Sequence, residues 1–440
     1  MSPENKNILE KSTIHGIGYI FDKNEKILVR LLWFIIFILS NVGFGFYAYN
    51  IYMKWTFEPD ILVREKSKLL TDIPFPAVTI CSPLFAKNQL ANLAQFELKF
   101  REKKYNVYPN LSQSEINYMT SNIQTCDLNY LLKLERFYRR RDNNDVLKLL
   151  DESFRSIDEV LFGCRRNGAK DRCKKVFIRM ITHRGFCYTF NIQGHSVIFN
   201  NEDLSSAFDY PNVTAAIDVY PKSLNINELN FTKWSLDKEF LDYKFNNIRF
   251  LYPLRAKVER NAYQNIYMFI NASDTNNLCW SFAKSFSFYI HLPNEILSPL
   301  HKEYSVQLGT GKLLTLSAQS FRSDESLRSY SPEIRDCYFE GERKLQFFKA
   351  YTKLNCEYEC MVNYTLNQCK CIMFYMPRKS ASKVCDYENY SCFIKSLADW
   401  HKETSKNKTC NCLNTCNNIE YKVAYERTSN LDNSDPEIYF

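Results

Sequence analysis

Cysteine is absent from the first 80 residues, although the chain holds 16 of them from Cys81 onward. An even number of thiols confined to one side of a point marks a chain that passes from a reducing to an oxidising compartment near it. Glycine (11) and proline (14) are scarce for 440 residues, which excludes collagen-like and linker-rich chains. Neither sign of charge dominates: 57 Lys+Arg stand against 49 Asp+Glu, a net +8, with no basic tail. Nucleic acid is therefore not an expected partner. Arg139, Arg140 and Arg141, at the end of a helical pattern, read as a solvated helix face. The chain also lacks an Asp-x-Asp pair, H-E-x-x-H and G-x-S-x-G, so no enzyme is expected, and no metal or cofactor.

What is present is a folded chain, 45% hydrophobic and 15% aromatic, long enough for about two to three domains. From Leu31 to Met53, 23 residues pass without a charged side chain, bounded by Arg30 and Lys54. As a helix that run extends roughly 34 Å, enough to cross a hydrocarbon core of about 30 Å. Tyr47, Tyr49, Tyr52 and Trp55 gather near its far end, where amphipathic rings favour the headgroup region. A cleaved signal peptide fits less well, because the run starts late, is long and has no small-residue cleavage site after it. Lysines and arginines flank both ends, so the cysteines set the orientation: residues 1–30 cytosolic, 54–440 extracellular, at the plasma membrane. Seven Asn-x-Ser/Thr acceptors, Asn110, Asn212, Asn230, Asn271, Asn363, Asn389 and Asn407, agree but carry little weight in so Asn-rich a chain. No second apolar run of this length follows, which reads as a single span.

Beyond the span, Phe75 to Cys81 has the prolines and β-branched residues of a strand. Residues 86–162 read as helical, with Leu147, Leu150, Phe154, Ile157 and Leu161 recurring at steps of three and four behind Asp145 as N-cap. Residues 177–330 turn β-like, at Val197–Phe199, Ile248–Tyr252, Ser285–Ile290 and Leu313–Leu316. The fold class is α+β: a transmembrane helix and a large disulfide-rich domain of sheet and helical insertions.

Ten cysteines crowd the next 80 residues: Cys337, Cys356, Cys360, Cys369, Cys371, Cys385, Cys392, Cys410, Cys412 and Cys416. Zinc is the competing reading for Cys369-x-Cys371 and Cys410-x-Cys412, but the usual histidine spacing is missing, and disulfides are favoured. Cys356 and Cys360 are four apart, on one helical face, and Cys412 and Cys416 repeat the step. If two helices run antiparallel there, nested bridges would staple them into a stiff lever.

Four segments together resemble the degenerin/epithelial sodium channel (DEG/ENaC) family, with its insect pickpocket branch as the best fit. They are FPAVTIC from Phe75 to Cys81, Gly185-Phe186-Cys187-Tyr188-Thr189-Phe190-Asn191, the run from Arg335-x-Cys337 to Cys369-x-Cys371, and Cys410-x-Cys412-Leu413-x₂-Cys416. The likeness extends from about residue 12 to about 425. It implies an ectodomain of finger (82–186), palm, β-ball and knuckle (187–330), thumb (331–416) and a palm return (417–440). It also implies a homo- or hetero-trimer with subunits of the same family around an amiloride-blocked, Na⁺-conducting pore, opened by a stimulus. The implied bridges are Cys337–Cys416, Cys356–Cys412, Cys360–Cys410, Cys369–Cys392, Cys371–Cys385, Cys81–Cys187 and Cys164–Cys173, with Cys126 and Cys279 left as a pair. Thr13-Ile14-His15-Gly16 is similar to the family's cytosolic gating element, and Gly16 permits a turn barred to other residues.

Two departures stand out. The family's second membrane helix, with its Gly-x-Ser selectivity filter, does not follow the thumb-like block, and Asn414-Thr415 stands where many relatives have proline. Two functions are therefore expected: a channel subunit, or a truncated, non-conducting subunit that modulates full-length partners or binds an extracellular ligand.

Overall fold

The computed structural model describes residues 14–57, 65–81, 146–200, 253–270 and 285–430, together with 121, 124–125, 204–205 and 234–237. Gaps fall at 23, 68, 155, 167–168, 172–176, 260–261, 264, 308, 380–381, 386–388 and 407–409. Arg139 to Arg141, Asp145, Ile248–Tyr252 and most of the helical stretch expected over 86–145 lie outside the described residues. Two units are present: residues up to Ser67 with Ser329–Arg335, and Lys68–Arg328 with Asp336–Phe440.

In the first unit a short helix, α1 (Ile17–Phe21), precedes the 31-residue α2 (Ile27–Phe57). The apolar run 31–53 lies inside α2, which is long and apolar enough to cross a membrane. Leu39, Val42, Phe44 and Phe46 are each at least 65% exposed along it, as expected of side chains whose solvent is lipid. Two polar side chains in the helix bond back to its own carbonyls: Asn41 Nδ2 donates to Phe37 O at 2.7 Å and Thr56 Oγ1 to Tyr52 O at 2.8 Å. Such back-bonding lowers the cost of placing a polar side chain on an apolar helix.

The second unit is built on a five-stranded antiparallel sheet. Its strands are β1 (Ala77–Cys81), β4 (Phe177–Thr182), β5 (Gly185–Phe190), β7 (Ser285–His291) and β8 (Glu303–Gln307), in the order β8-β7-β1-β5-β4. Between β1 and β4 come helices α3 (Val146–Ser153) and α4 (Ile157–Val160) and strands β2 (Leu161–Arg166) and β3 (Ala169–Asp171). Strand β6 (Ile266–Ile270) pairs with β2. All five residues of the central strand β1 are buried. Val78 and Ile80 pack with Phe190 and Phe288, whereas Ala77 joins a second cluster with Met180, Phe186 and Met361. The alternation follows from the two-residue period of a strand.

Helices α6 (Lys353–Cys369) and α7 (Tyr390–Lys406) lay Met361, Val362, Phe393 and Trp400 into that second cluster. They run antiparallel, because Cys369 is joined to Cys392 while Thr365 meets Ser396 at 3.3 Å and Tyr364 reaches Glu403. Strands β9 (Thr310–Phe321) and β10 (Asn418–Asn430) form a long two-stranded ribbon with a register shift between Thr315 and Leu316.

Three local expectations change. The helical pattern over 147–161 is broken, because the Ser156 N–H donates to Glu159 at 2.7 Å and restarts a helix that ends where Leu161 opens β2. Val197-Ile198-Phe199 is not a strand: Val197 and Ile198 close one helical turn, α5 (His195–Ile198), on the Gly194 carbonyl, and Phe199 stacks on Phe348. Three β-branched and aromatic residues are too few to carry a period. Finally, Cys412 and Cys416 share no helix: Asn414–Thr415 is extended and pairs in parallel with Cys337–Tyr338.

Candidate functional site: the His-Gly turn, the cysteine framework and a buried polar cluster

Gly16 has φ +92° and starts α1, a conformation that L side chains rarely adopt. The turn before it places the His15 ring edge-on to Trp33, with centroids 6.2 Å apart, and Tyr19 stacks on the same indole at 4.8 Å. Arg30 Nε donates to the Ile20 carbonyl at 2.8 Å and so caps the far end of α1. His15 is thus packed against the first turns of α2 by the Trp33 indole, and α1 is held there by the Arg30 guanidinium; Thr13 lies outside the described residues.

The cysteine framework begins with Cys81–Cys187, which ties β1 to β5. Cys337–Cys416, Cys356–Cys412, Cys360–Cys410, Cys369–Cys392 and Cys371–Cys385 brace the block that holds α6 and α7. Cys356 and Cys360, one turn apart on α6, bond to a non-helical return, in which Asn411 between Cys410 and Cys412 has a positive φ, rather than to a second helix. Tyr351 Oη donates to Leu413 O at 2.6 Å, and the Cys416 N–H donates to Tyr338 O at 3.0 Å, fixing that return. Cys164 is also disulfide-bonded, and no described cysteine is free. Cys126, Cys173 and Cys279 lie outside the described residues, as do Asn110, Asn212, Asn230, Asn271 and Asn407. Asn363 sits on α6 and Asn389 just before α7, both half-buried.

A third feature carries no sequence motif. On the sheet, Thr79 Oγ1 lies 2.8 Å from Thr189 Oγ1 and 2.9 Å from His291 Nε2. His291 Nδ1 lies 3.0 Å from the Leu292 carbonyl, which can only accept, so Nδ1 carries the proton and Nε2 accepts from Thr79. Beside it, His301 Nδ1 accepts from the Ser298 N–H at 3.1 Å, and Nε2 faces Glu295 at 3.6 Å. The two imidazoles are 5.4 Å apart. Burial above all, with the His301 imidazole beside it, holds His291 down to about 3. Burial alone would raise the Glu295 carboxyl, but His301 and the Thr352 hydroxyl outweigh it and hold the carboxyl below its ordinary range. Thr352 is also the N-cap of α6, accepting from the Asn355 N–H at 3.1 Å. Buried polar side chains therefore lie in succession from the central strands to the start of the stapled helix, the His291–His301 step being a ring contact rather than a hydrogen bond. His183, near Cys187, is likewise neutral, held down to about 3 by burial and then by Arg184, with Nε2 3.3 Å from Tyr289 Oη. Among the described residues no group of His, Cys, Asp and Glu is arranged to hold a metal ion.

A family profile described as "Amiloride-sensitive sodium channel" matches residues 8–438. Pickpocket protein 28 of Drosophila melanogaster is 23% identical over 441 residues, covering 97% of this chain and 65% of its own length. Sodium channel protein Nach of Drosophila melanogaster is 21% identical, covering 94% of this chain and 71% of its own. Acid-sensing ion channel 1 of Gallus gallus is 22% identical, covering 93% and 66% respectively. With a match over nearly its whole length, the chain belongs to the amiloride-sensitive sodium channel family, the degenerin/epithelial sodium channels.

Proposed function

We propose that the chain is a subunit of a sodium-conducting channel at the plasma membrane. The observation that carries this reading is the family match over residues 8–438, which takes in the His-Gly turn, the apolar helix and the cysteine framework alike. In this reading α2 crosses the bilayer once before the disulfide-braced body, residues before α2 are cytosolic, and the body is extracellular and carries N-glycans. The sheet is the palm, and the α6/α7 hairpin with its non-helical return is the thumb. Three such subunits, of one or several kinds, surround an amiloride-sensitive Na⁺ path, and a stimulus received by the body opens it. The thumb moves as a stiff body, because bridges and the buried polar side chains tie α6 both to its return and to the sheet. His15 and Gly16 act in gating from the cytosolic side.

The test is voltage-clamp recording from cells expressing the chain alone and together with a full-length pickpocket relative, with surface delivery measured in parallel. An amiloride-sensitive sodium current that depends on the chain is expected. Surface-delivered chain that alters no sodium current in either setting would contradict the reading.

A further inference from the structure

Where the sheet, strand β6 and the β9/β10 ribbon come together, the second unit encloses a half-open cavity of about 480 Å³. Its walls come from Phe75 and Val78 at β1, Ile266 on β6, Phe288 on β7, and Leu314 and Leu316 on β9. Among the described residues that line it there is no aspartate, glutamate, lysine, arginine or histidine. The polar groups present, including Asn265, Thr315 and Ser317, are uncharged.

We propose that this cavity is a binding site for an uncharged, mainly apolar small molecule carrying at most a hydroxyl or carbonyl group. The volume lies within the range of about 300–1,000 Å³ typical of small-molecule sites, and the mixture of many apolar walls with a few uncharged polar groups is the usual composition of such sites. An empty apolar cavity forfeits packing in proportion to its volume, and water placed in it finds few partners. An apolar guest relieves both. A charged guest would be stripped of water with no counter-charge in the wall, so charge is excluded by the same residues.

The wall is also built to respond. Three sides are sheet strands held by neighbours on both edges or by the β2 pairing, whereas the fourth is a ribbon in which, among the described residues, β9 pairs with β10 alone. Its register shift falls between Thr315 and Leu316, both of which line the cavity. A bulge bends and twists a strand locally. Leu314 packs with the Val78 and Phe288 cluster and Ala318 with the Ile73 cluster, so Leu316 is the wall residue between the two. A guest would contact the ribbon at its bend and hold it to the sheet. This proposal rests on the cavity and is independent of conduction.

The experiment is photoaffinity labelling of the full chain in lipid nanodiscs with octanol bearing a diazirine, followed by peptide mapping. Saturable labelling is expected within residues 70–78, 265–268 or 313–318, displaced by unlabelled octanol and not by octanoate. Leu316→Trp, which fills the cavity, should abolish it, while Leu316→Ala, which enlarges the cavity, should retain it. Labelling confined to other regions, equal displacement by octanoate, or undiminished labelling of a Leu316→Trp chain with its disulfides intact would each overturn the proposal. If Leu316→Trp loses its disulfide pattern, Leu316→Ala decides: loss of saturable labelling in that variant also overturns it.

Discussion

At the scale of single residues, two positions tie chemistry to conformation most tightly. Gly16 is held at a positive φ with Trp33 and Phe37 near enough for ordinary contact with an added methyl, so an alanine there meets a backbone penalty rather than a clash. Gly16→Ala should cost the turn about 1–2 kcal/mol. Hydrogen exchange of the Ile17–Phe21 amides should then accelerate by roughly tenfold; unchanged exchange would show that Gly16 is dispensable to the turn. The buried imidazoles make stability depend on pH in a defined direction. His291 and His183 are neutral in the folded chain and held near 3, against an ordinary 6.5 once unfolded. The unfolded chain therefore binds protons first on acidification. Their contribution is complete above about 6.5 and is lost as pH falls toward 3, with the depressed carboxyls of Glu295 and Glu303 adding loss of the same sign lower in that window. Melting temperature measured from pH 7 downward should fall, and His291→Gln should make the fall shallower. A variant curve with the wild-type slope would contradict the assignment. None of this cluster is legible in sequence. Thr79, Thr189, His291 and His301 come from separate strands and loops, so no local spacing reports their meeting.

At the scale of elements, the nested bridges on α6 act as a pair. Cys356–Cys412 and Cys360–Cys410 close loops of 56 and 50 residues when considered singly. With either one retained, the other closes only the small ring between them. Removing both should therefore cost more than the sum of the single removals, by ~1 kcal/mol on the loop-entropy relation once the flanking Cys337–Cys416 and Cys369–Cys392 bridges are kept closed. Denaturant titration of the two single-bridge and the double-bridge serine variants reads this, and strict additivity would show that the bridges act independently. Elements differ in how plainly the sequence announces them. Phe75 to Cys81 has flanking prolines and a β-branched run, and a strand forms there. The charge-free stretch 31–53 gives a helix, as its length and lack of charge indicate. The four-residue step from Cys412 to Cys416 suggested a helical face, yet the segment is extended: Tyr351, Tyr338 and the bridges to α6 fix its path, and none of these is local. Ser156 and Glu159 break the apolar pattern over 147–161 by a capping box that the period alone does not reveal.

At the scale of the whole molecule, one apolar helix precedes a body in which every described cysteine is bonded. The two facts share a physical cause if a bilayer separates reducing from oxidising solvent between them. Composition carries that much, and the family likeness implies what composition cannot, the partners in the six described bridges. The most direct test is to treat intact cells expressing the chain with a membrane-impermeant maleimide, before and after a membrane-impermeant phosphine reductant, and to map the labelled cysteines. No label before reduction, and label throughout Cys337–Cys416 after it, is the predicted result. Labelling before the reductant, or none until the cells are lysed, would contradict an oxidised body outside the membrane.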